Sequence, residues 1–341
     1  MHYLVTGHTG FKGAWLVLML RAEGHIVSGI ALDPLPGSLY ETARISELMA
    51  SDVRLDIRDS AGIRKAVTQL SPDVVYHLAA QPLVVESYRD PRTTFETNVM
   101  GTLNMLEAVG ATPTVAAHIV ITTDKVYRNV DRVEGYSERD ALGAADPYSS
   151  SKAMADILTQ SWVKSFPGAP TAIARGGNVI GGGDNAANRL VPDLVAAFAT
   201  GEIASLRFPG AVRPWQHVLD CLDGYRAIER ALLAGSGAGE WNIGPGRESF
   251  VTVGDFAESA AALWGNGAQW QASDDAHAPE ANLLSLDPKK ASEQLGWSSR
   301  LKYPESLGWA IDWHKEVVRG ADPRTVTENQ INSYRNLGAQ E

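Results

Sequence analysis

The first half of the chain alternates short apolar runs with longer stretches of helical periodicity. The apolar runs cover 3–6, 26–31, 53–56, 74–78 and 117–122, and the helical stretches cover 13–22, 60–70, 93–109 and 148–166. A strand buried on both faces is apolar along its length, so these runs indicate central strands of a parallel sheet. The pattern predicts an α/β fold of the Rossmann type, a doubly wound parallel sheet with helices on both sides.

The second half of the chain is less regular. A strand at 171–175 runs into a glycine-rich loop at 176–184, and shorter segments rich in Pro, Trp and Arg follow. We expect 1–176 to form the sheet domain and 177–320 to form mainly a smaller C-terminal substrate lobe, with some return to the first domain. Open α/β sheets bind ligands at the carboxyl ends of their strands, so the lobe is expected at that edge. The polar segment 321–341 is expected to be a poorly ordered tail.

Charge and composition narrow the classes of function. The 341 residues carry a formal net charge of -10 and one cysteine, Cys221. The acidic balance argues against a nucleic-acid partner, because attraction to phosphates needs clustered Lys and Arg. One cysteine permits no intrachain disulfide, and the spacing of the histidines predicts no metal site. The first residues enter a strand-like run at once, and the sequence has no apolar run of about 18 residues, so we expect no secretory leader, no membrane partner and a cytoplasmic location.

A glycine-rich turn between the first strand and the first helix predicts a dinucleotide site. Its residues are Gly7, Thr9, Gly10, Phe11, Lys12 and Gly13. Glycines at this spacing let the backbone approach a pyrophosphate, and the helix N-terminus offers its N–H groups to the phosphates. Asp33 ends the second strand and favours NAD over NADP, because a carboxylate accepts from ribose hydroxyls and repels a 2′-phosphate. A plain turn before Pro34 is the alternative reading of Asp33.

Two further strand ends complete the predicted NAD-binding domain. Asp56 and Ile57 close the third strand, where they are candidates for adenine contacts. The fourth strand ends in small residues that let a flat cofactor pass close to the backbone, namely Leu78, Ala79, Ala80 and Gln81.

Tyr148 and Lys152 are the candidate catalytic pair. Residues four apart lie on the same face of a helix, and an ammonium beside a phenol favours the phenolate. We therefore expect Tyr148 to act as a base near neutral pH. Thr123 ends the fifth strand, 25 residues before Tyr148, so its hydroxyl is expected to reach the same substrate oxygen at the carboxyl edge of the sheet.

The order of these motifs resembles that of the extended short-chain dehydrogenase/reductases, the NAD-dependent epimerases and dehydratases of nucleotide sugars. Within that family the chain is most similar to the CDP-glucose 4,6-dehydratases. The stretches that carry the resemblance are 7–13, 77–84, 123–125, 177–184 and 213–218. The resemblance implies an NDP-hexose substrate similar to CDP-glucose and a 4-keto-6-deoxy product, so residues 177–320 become a nucleotide-sugar lobe.

The same resemblance assigns roles to five candidate catalytic residues. Tyr148, assisted by Lys152, would remove the O4 proton while C4 gives a hydride to NAD, and Thr123 would orient O4. Asp124 would protonate the departing 6-hydroxyl, and Lys125 would remove the C5 proton. The carbonyl formed transiently at C4 makes that C5 proton acidic enough to remove.

The relatives also imply further contacts and an assembly. Asn98, Tyr148 and Lys152 are expected to touch the cofactor. The residues expected to bind the nucleotide sugar are Gln81, Asn178, Arg189, Arg213, His217 and Asn242. Relatives pair the helices equivalent to 93–109 and 148–166 in a four-helix bundle, which implies a homodimer.

Three departures from the relatives' pattern keep other reactions open. Asn185 stands where Trp is usual, Glu134 where an aromatic residue is frequent, and Ser285 where Lys is usual. The first alternative is an epimerase or a ring-rearranging isomerase or mutase on the same scaffold, which the Asp124–Lys125 pair argues against. A non-enzymatic dinucleotide sensor is less favoured, because such proteins have usually lost the Tyr/Lys pair.

Overall fold

The computed structural model describes residues 1–186, 188–273 and 283–338. The strands are β1 (His2–Thr6), β2 (Ile26–Ala31), β3 (Ser51–Arg54), β4 (Val74–His77), β5 (Ala117–Thr123), β6 (Thr171–Gly176), β7 (Val179–Ile180), β8 (Ala204–Leu206), β9 (Val212–Pro214), β10 (Gln216–His217), β11 (Gly239–Ile243), β12 (Phe250–Thr252) and β13 (Trp270–Ala272). The α-helices are α1 (Phe11–Ala22), α2 (Leu39–Thr42), α3 (Ser60–Leu70), α4 (Val84–Arg89), α5 (Pro91–Phe95), α6 (Gly101–Gly110), α7 (Pro147–Ser165), α8 (Leu190–Thr200), α9 (Val218–Leu233), α10 (Val253–Trp264), α11 (Lys289–Leu295), α12 (Glu305–Val318) and α13 (Pro323–Gly338).

Seven parallel strands form the central sheet in the order β11-β6-β5-β4-β1-β2-β3. The strand order reverses at β1, which pairs with β2 on one side and β4 on the other. The connections from these strands leave on opposite faces and open a crevice at the carboxyl ends, where such sheets bind ligands. The predicted α/β fold with a parallel Rossmann-type sheet is confirmed.

Apolar layers on both faces of the sheet explain why the strands are apolar throughout. All seven residues of β5 are buried. Helices α1 and α9 pack against one face, and α3 and α6 cover the other. Each large apolar side chain that these layers bury contributes about 1.5–3 kcal/mol relative to an exposed one. The two layers cover both faces of the sheet, so its carboxyl edge is the part that stays accessible.

A second lobe lies beyond that edge and is built on α8, α10, α12 and the short strands β7 to β10, β12 and β13. Its apolar core includes Phe198, Trp215, Phe256 and Trp264. The chain also returns to the first domain, since β11 pairs with β6 at the end of the central sheet. None of the described helices is long and apolar enough to cross a membrane.

The expectation of a poorly ordered tail from residue 321 is wrong for the segment that the structure describes. Pro323–Gly338 forms α13 and buries Val326, Ile331 and Tyr334 against the core. The Tyr334 hydroxyl donates a 2.7 Å hydrogen bond to Asp220 Oδ1. The segment looks polar in sequence because only one face of this helix is apolar. Residues 339–341 lie outside the described residues.

Candidate active site

A cleft of about 1890 Å³ runs along the carboxyl edge of the sheet, between the sheet and the second lobe. Sites for single small molecules are commonly roughly 300–1,000 Å³, so this cleft has room for a dinucleotide and a second ligand side by side. The predicted cofactor residues that line it are Gly7, Thr9, Gly10, Phe11, Lys12, Gly13, Asp33, Asp56, Ile57, Leu78, Ala79, Ala80, Gln81 and Tyr148.

The glycine turn has the close backbone approaches that a dinucleotide cradle needs. Gly7 adopts φ 71°, and a Cβ there would lie 2.8 Å from the Ala79 nitrogen. A Cβ on Gly13 would lie 2.3 Å from the Gly7 carbonyl oxygen, so α1 could not pack this close to the turn with any other residue. The N-terminus of α1 therefore opens directly onto the cleft, where its free N–H groups fit the two phosphates of NAD.

Asp33 lies at the rim of the cleft, just beyond β2. Its side chain is 89% exposed, and one carboxylate oxygen lies 3.6 Å from Arg54 Nε. Arg54 also pairs with Asp52 at 2.8 Å and was not singled out from the sequence. The guanidinium is held next to the carboxylate, which leaves the outer face of Asp33 open to ribose hydroxyls.

The Asp33→Ala variant should bind NAD about tenfold more weakly, because a charge-assisted hydrogen bond to the ribose is lost. Calorimetric titration of the purified variant with NAD and with NADP measures this effect. Asp312→Ala, which removes an exposed carboxylate on α12, is the matched control and should leave the affinity unchanged. If the parent protein bound NADP as tightly as NAD, the assignment of Asp33 would be wrong.

The structure brings Thr123, Asp124 and Tyr148 together at the end of β5. The Thr123 hydroxyl donates a 2.8 Å hydrogen bond to Asp124 Oδ1, and the Tyr148 hydroxyl lies close to it. Asp146 fixes the start of α7, since its side chain accepts from Ser149 N at 2.9 Å. This cap and the last residue of β5 together hold two hydroxyls and a carboxylate at one point of the cleft wall.

In the protein without bound ligand, burial works against the predicted phenolate. Burial raises the pKa of Tyr148 to about 12, the interaction with the Thr123 hydroxyl opposes this shift, and the nearby charge of Asp124 adds to it. Lys152 lies behind the cleft wall, where its ammonium donates a 2.8 Å hydrogen bond to the Ile121 carbonyl. Burial and the neighbouring Lys12 lower the pKa of Lys152 to about 8. Desolvation of both groups outweighs the pairing that helical spacing suggests.

Asp124 and Lys125 form a short turn that follows β5 directly. Asp124 is buried, whereas Lys125 is half-buried and lines the cleft. A Cβ on Gly177 would lie 2.6 Å from Asp124 Oδ2, so the glycine makes room for this carboxylate. Asn178 Nδ2 donates to the same oxygen at 3.5 Å. The turn thus presents an acidic and a basic group on the same stretch of wall as Tyr148.

The second lobe contributes polar and cationic groups to the cleft. Asn178, Arg189 and Arg213 line it, as the sequence predicts, and Arg189 is held by a 2.9 Å ion pair with Asp184. Arg207 also lines the cleft and was missed, because a lone arginine in an irregular segment carries no motif. Guanidinium groups at this position suit the oxygens of a diphosphate.

His217 and Asn242 do not line the cleft, and their expected substrate contacts stay predictions. His217 is fully buried, and its Nδ1 accepts from Leu219 N to cap α9, while burial lowers its pKa to about 3. Asn242 is fully buried as well and accepts a 2.7 Å hydrogen bond from the Tyr127 hydroxyl. Both polar side chains satisfy buried backbone or side-chain partners behind the wall.

Asn98 is also buried behind the wall rather than exposed to the cofactor space. Its Oδ1 accepts from Gln81 N at 2.8 Å, and its Nδ2 donates to Gln81 O at 3.1 Å. The expected cofactor contact of Asn98 stays a prediction. In the structure Asn98 holds the backbone of Gln81, which lines the cleft. The sheet, the glycine cradle and the Tyr148–Thr123 pair define an NAD-dependent enzyme of the extended short-chain dehydrogenase/reductase class.

Comparisons with known proteins identify the family. Residues 4–308 match the family model described as GDP-mannose 4,6 dehydratase. A CDP-glucose 4,6-dehydratase of Salmonella typhimurium is 42% identical over 97% of this chain and 95% of its own. A dTDP-glucose 4,6-dehydratase of Mycolicibacterium smegmatis is 30% identical over 92% of this chain and 93% of its own. The chain belongs to the GDP-mannose 4,6-dehydratase family, and the prediction of an NAD-dependent nucleotide-sugar 4,6-dehydratase is confirmed.

Solved structures agree with the fold and with the cofactor. The UDP-glucose 4-epimerase of Thermus thermophilus, solved in complex with NAD, has a TM-score of 0.79 and 26% identity and covers 94% of this chain and 100% of its own. A dTDP-glucose 4,6-dehydratase of Streptomyces venezuelae has a TM-score of 0.79 at 23% identity and covers 95% of this chain and 100% of its own, which shows a shared fold. Since epimerases and dehydratases both have this fold, the residues of the cleft must determine the reaction.

Proposed function

We propose that the protein removes water from CDP-glucose to give the 4-keto-6-deoxy sugar, and that it works in the cytoplasm. The observation that supports this reaction is the Asp124–Lys125 turn beside the Tyr148–Thr123 pair. The turn supplies an acid and a base next to the two groups that act on O4. The 42% identity to a CDP-glucose 4,6-dehydratase supports cytosine as the base.

Four side chains divide the proposed chemistry between O4, C5 and O6. Tyr148, in its phenolate form, takes the proton from O4 while Thr123 holds that oxygen in place by a hydrogen bond. Lys125 takes the proton from C5, which is acidic next to a C4 carbonyl, and returns a proton to C5 when the hydride is delivered to C6. Asp124 gives a proton to the departing 6-hydroxyl. NAD, held by the glycine cradle and Asp33, would supply the acceptor for the hydride from C4 and its donor to C6.

The diphosphate is proposed to lie against the arginines of the second lobe. Arg189 and Arg213 both line the cleft between α8 and β9. A guanidinium can donate to two phosphate oxygens at once, which fixes the sugar relative to the Tyr148 wall. The proposal places Gln81 and Asn178 next to the sugar, since both line the part of the cleft between the glycine cradle and the second lobe.

A panel of nucleotide hexoses tests the proposal. CDP-glucose, UDP-glucose, dTDP-glucose and GDP-mannose are each incubated with the enzyme and NAD, and the products are identified by mass spectrometry. Loss of one water from CDP-glucose at the highest kcat/KM is the expected result. A product of unchanged mass would indicate epimerisation or ring isomerisation, and preference for another base would overturn the cytosine assignment.

We also propose a homodimer through the outer face of α6 and α7. These helices pack together, and Met100 just before α6 and Met154 and Ile157 on α7 are 49%, 47% and 52% exposed. Exposed apolar side chains on a helix pair are suited to pack against the same surface of a second copy of the chain. Light scattering should give twice the chain mass, and Ile157→Glu should give one chain mass. Val318→Glu, at an exposed site on α12, should remain dimeric.

A further inference from the structure

A continuous line of buried polar groups crosses the sheet beneath the cleft. His77 is the last residue of β4 and pairs in register with Thr6 of β1. Its Nδ1 lies 2.8 Å from Thr6 Oγ1, and Thr6 Oγ1 accepts from Ala79 N at 3.2 Å. One end of the line therefore holds the backbone of Ala79, which lines the cofactor part of the cleft.

The other side of His77 leads to the helix that carries Tyr148. His77 Nε2 lies 3.2 Å from Thr102 Oγ1, and Thr102 Oγ1 donates to the Asn98 carbonyl at 2.7 Å. Asn98 Nδ2 in turn donates to Ser151 Oγ at 2.8 Å. Ser151 Oγ donates to the Tyr148 carbonyl at 2.7 Å.

The order of donors along this line places a proton on His77 Nε2 and fits a neutral ring. The single hydroxyl proton of Thr102 goes to the Asn98 carbonyl, so Thr102 Oγ1 must accept from His77 Nε2–H. Thr6 Oγ1 accepts from Ala79 N and still has its own proton to donate, and His77 Nδ1 at 2.8 Å accepts that proton when the ring is neutral. Burial, together with nearby His118 and Lys152, lowers the pKa of His77 well below its usual value, which agrees with a neutral ring.

We propose that His77 is a positioning residue that sets the cofactor cradle and the Tyr148 helix relative to each other through this line of hydrogen bonds. The neutral ring with its proton on Nε2 ties Ala79 to Asn98. Asn98 then clamps both backbone polar groups of Gln81 and reaches Ser151. The part of this inference that concerns turnover rests on the proposed role of Tyr148.

His118 on the neighbouring strand β5 shows that this sheet can bury a histidine without such a line. It is fully buried, and neither of its ring nitrogens has a hydrogen-bond partner among the described residues. The hydrogen bonds of His77 are therefore a specific arrangement and not a general consequence of burying a histidine in these strands.

Thr102→Val tests the line at a position that does not touch the cleft. Loss of the central hydroxyl should weaken NAD binding about tenfold in calorimetry. It should also lower kcat, and Thr102→Ser, which keeps the hydroxyl, should restore both. Thr112→Val is the matched control, since buried Thr112 also donates to the carbonyl four residues earlier, at 2.8 Å, outside the line. Its NAD affinity and kcat should stay at the parent values.

The contrary outcome is that Thr102→Val and Thr112→Val lower the melting temperature equally and still have the same NAD affinity and the same kcat as each other. That result would show that the line of hydrogen bonds only stabilises the fold. Nitrogen NMR of the His77 ring gives an independent readout, because the Nε2–H form should persist from about pH 5 to 8, where an unperturbed histidine titrates. A proton on Nδ1, or titration in that range, would overturn the assignment. Neither calorimetry nor NMR depends on the sugar, so both remain decisive if the substrate panel contradicts the proposed reaction.

Discussion

Tyr148→Phe should lower kcat by about 10³-fold, the range that a positioned proton-transfer group supplies. Phenylalanine keeps the ring and its packing but removes the hydroxyl that takes the O4 proton. Thr123 remains in place but is held by Asp124 and cannot replace that hydroxyl as a base. Steady-state kinetics with CDP-glucose measures the loss, and calorimetry with NAD should show that the cofactor still binds.

Tyr303→Phe is the control for this variant. The Tyr303 hydroxyl lies 2.6 Å from Ser259 Oγ in the second lobe, and Tyr303 does not line the cleft. Its loss should leave kcat within about twofold of the parent, in line with the modest net value of one hydrogen bond. If Tyr148→Phe retained a kcat within about tenfold of the parent, below the effect of a general base, Tyr148 would not be the base at O4.

Lys125→Ala should produce a different defect, about a 10²-fold loss of kcat with oxidation at C4 still possible. Because the C5 proton is no longer removed, enzyme-bound reduced nicotinamide should accumulate on mixing with CDP-glucose and be visible by its absorbance. Solvent deuterium should no longer enter C5. Asp124→Asn should stall at a similar stage, since the 6-hydroxyl leaves poorly without a proton.

Lys164→Ala is the control, because Lys164 is an exposed lysine on α7 away from the cleft. It should behave as the parent in absorbance and in deuterium incorporation. Near-normal turnover of Lys125→Ala, together with no C5 exchange in the parent enzyme, would contradict elimination. An epimerase or a ring isomerase would then fit the cleft better, because neither reaction expels the 6-hydroxyl.

Much of the candidate site can be predicted because its signals are local in sequence. The glycine turn, Asp33 and Thr123 each sit at the end of a strand that apolar periodicity reveals, and parallel strands bring those ends to one edge. Asp146 and Pro147 mark the start of α7 in the same local way. Some elements begin and end at other residues than predicted. For example, β3 spans Ser51–Arg54 instead of the predicted 53–56.

The sequence by itself determined the α/β class, the edge of the sheet at which the cofactor is expected and the groups that can act at O4. These features depend on periodicity and on short motifs, which extend over a few residues only. Only the tertiary structure decided which polar side chains face the cleft. Asn242 turned inward because Tyr127, 115 residues away, supplies its partner. The pKa of Tyr148 and the line through His77 likewise depend on burial and on contacts between distant strands and helices, which no local pattern encodes.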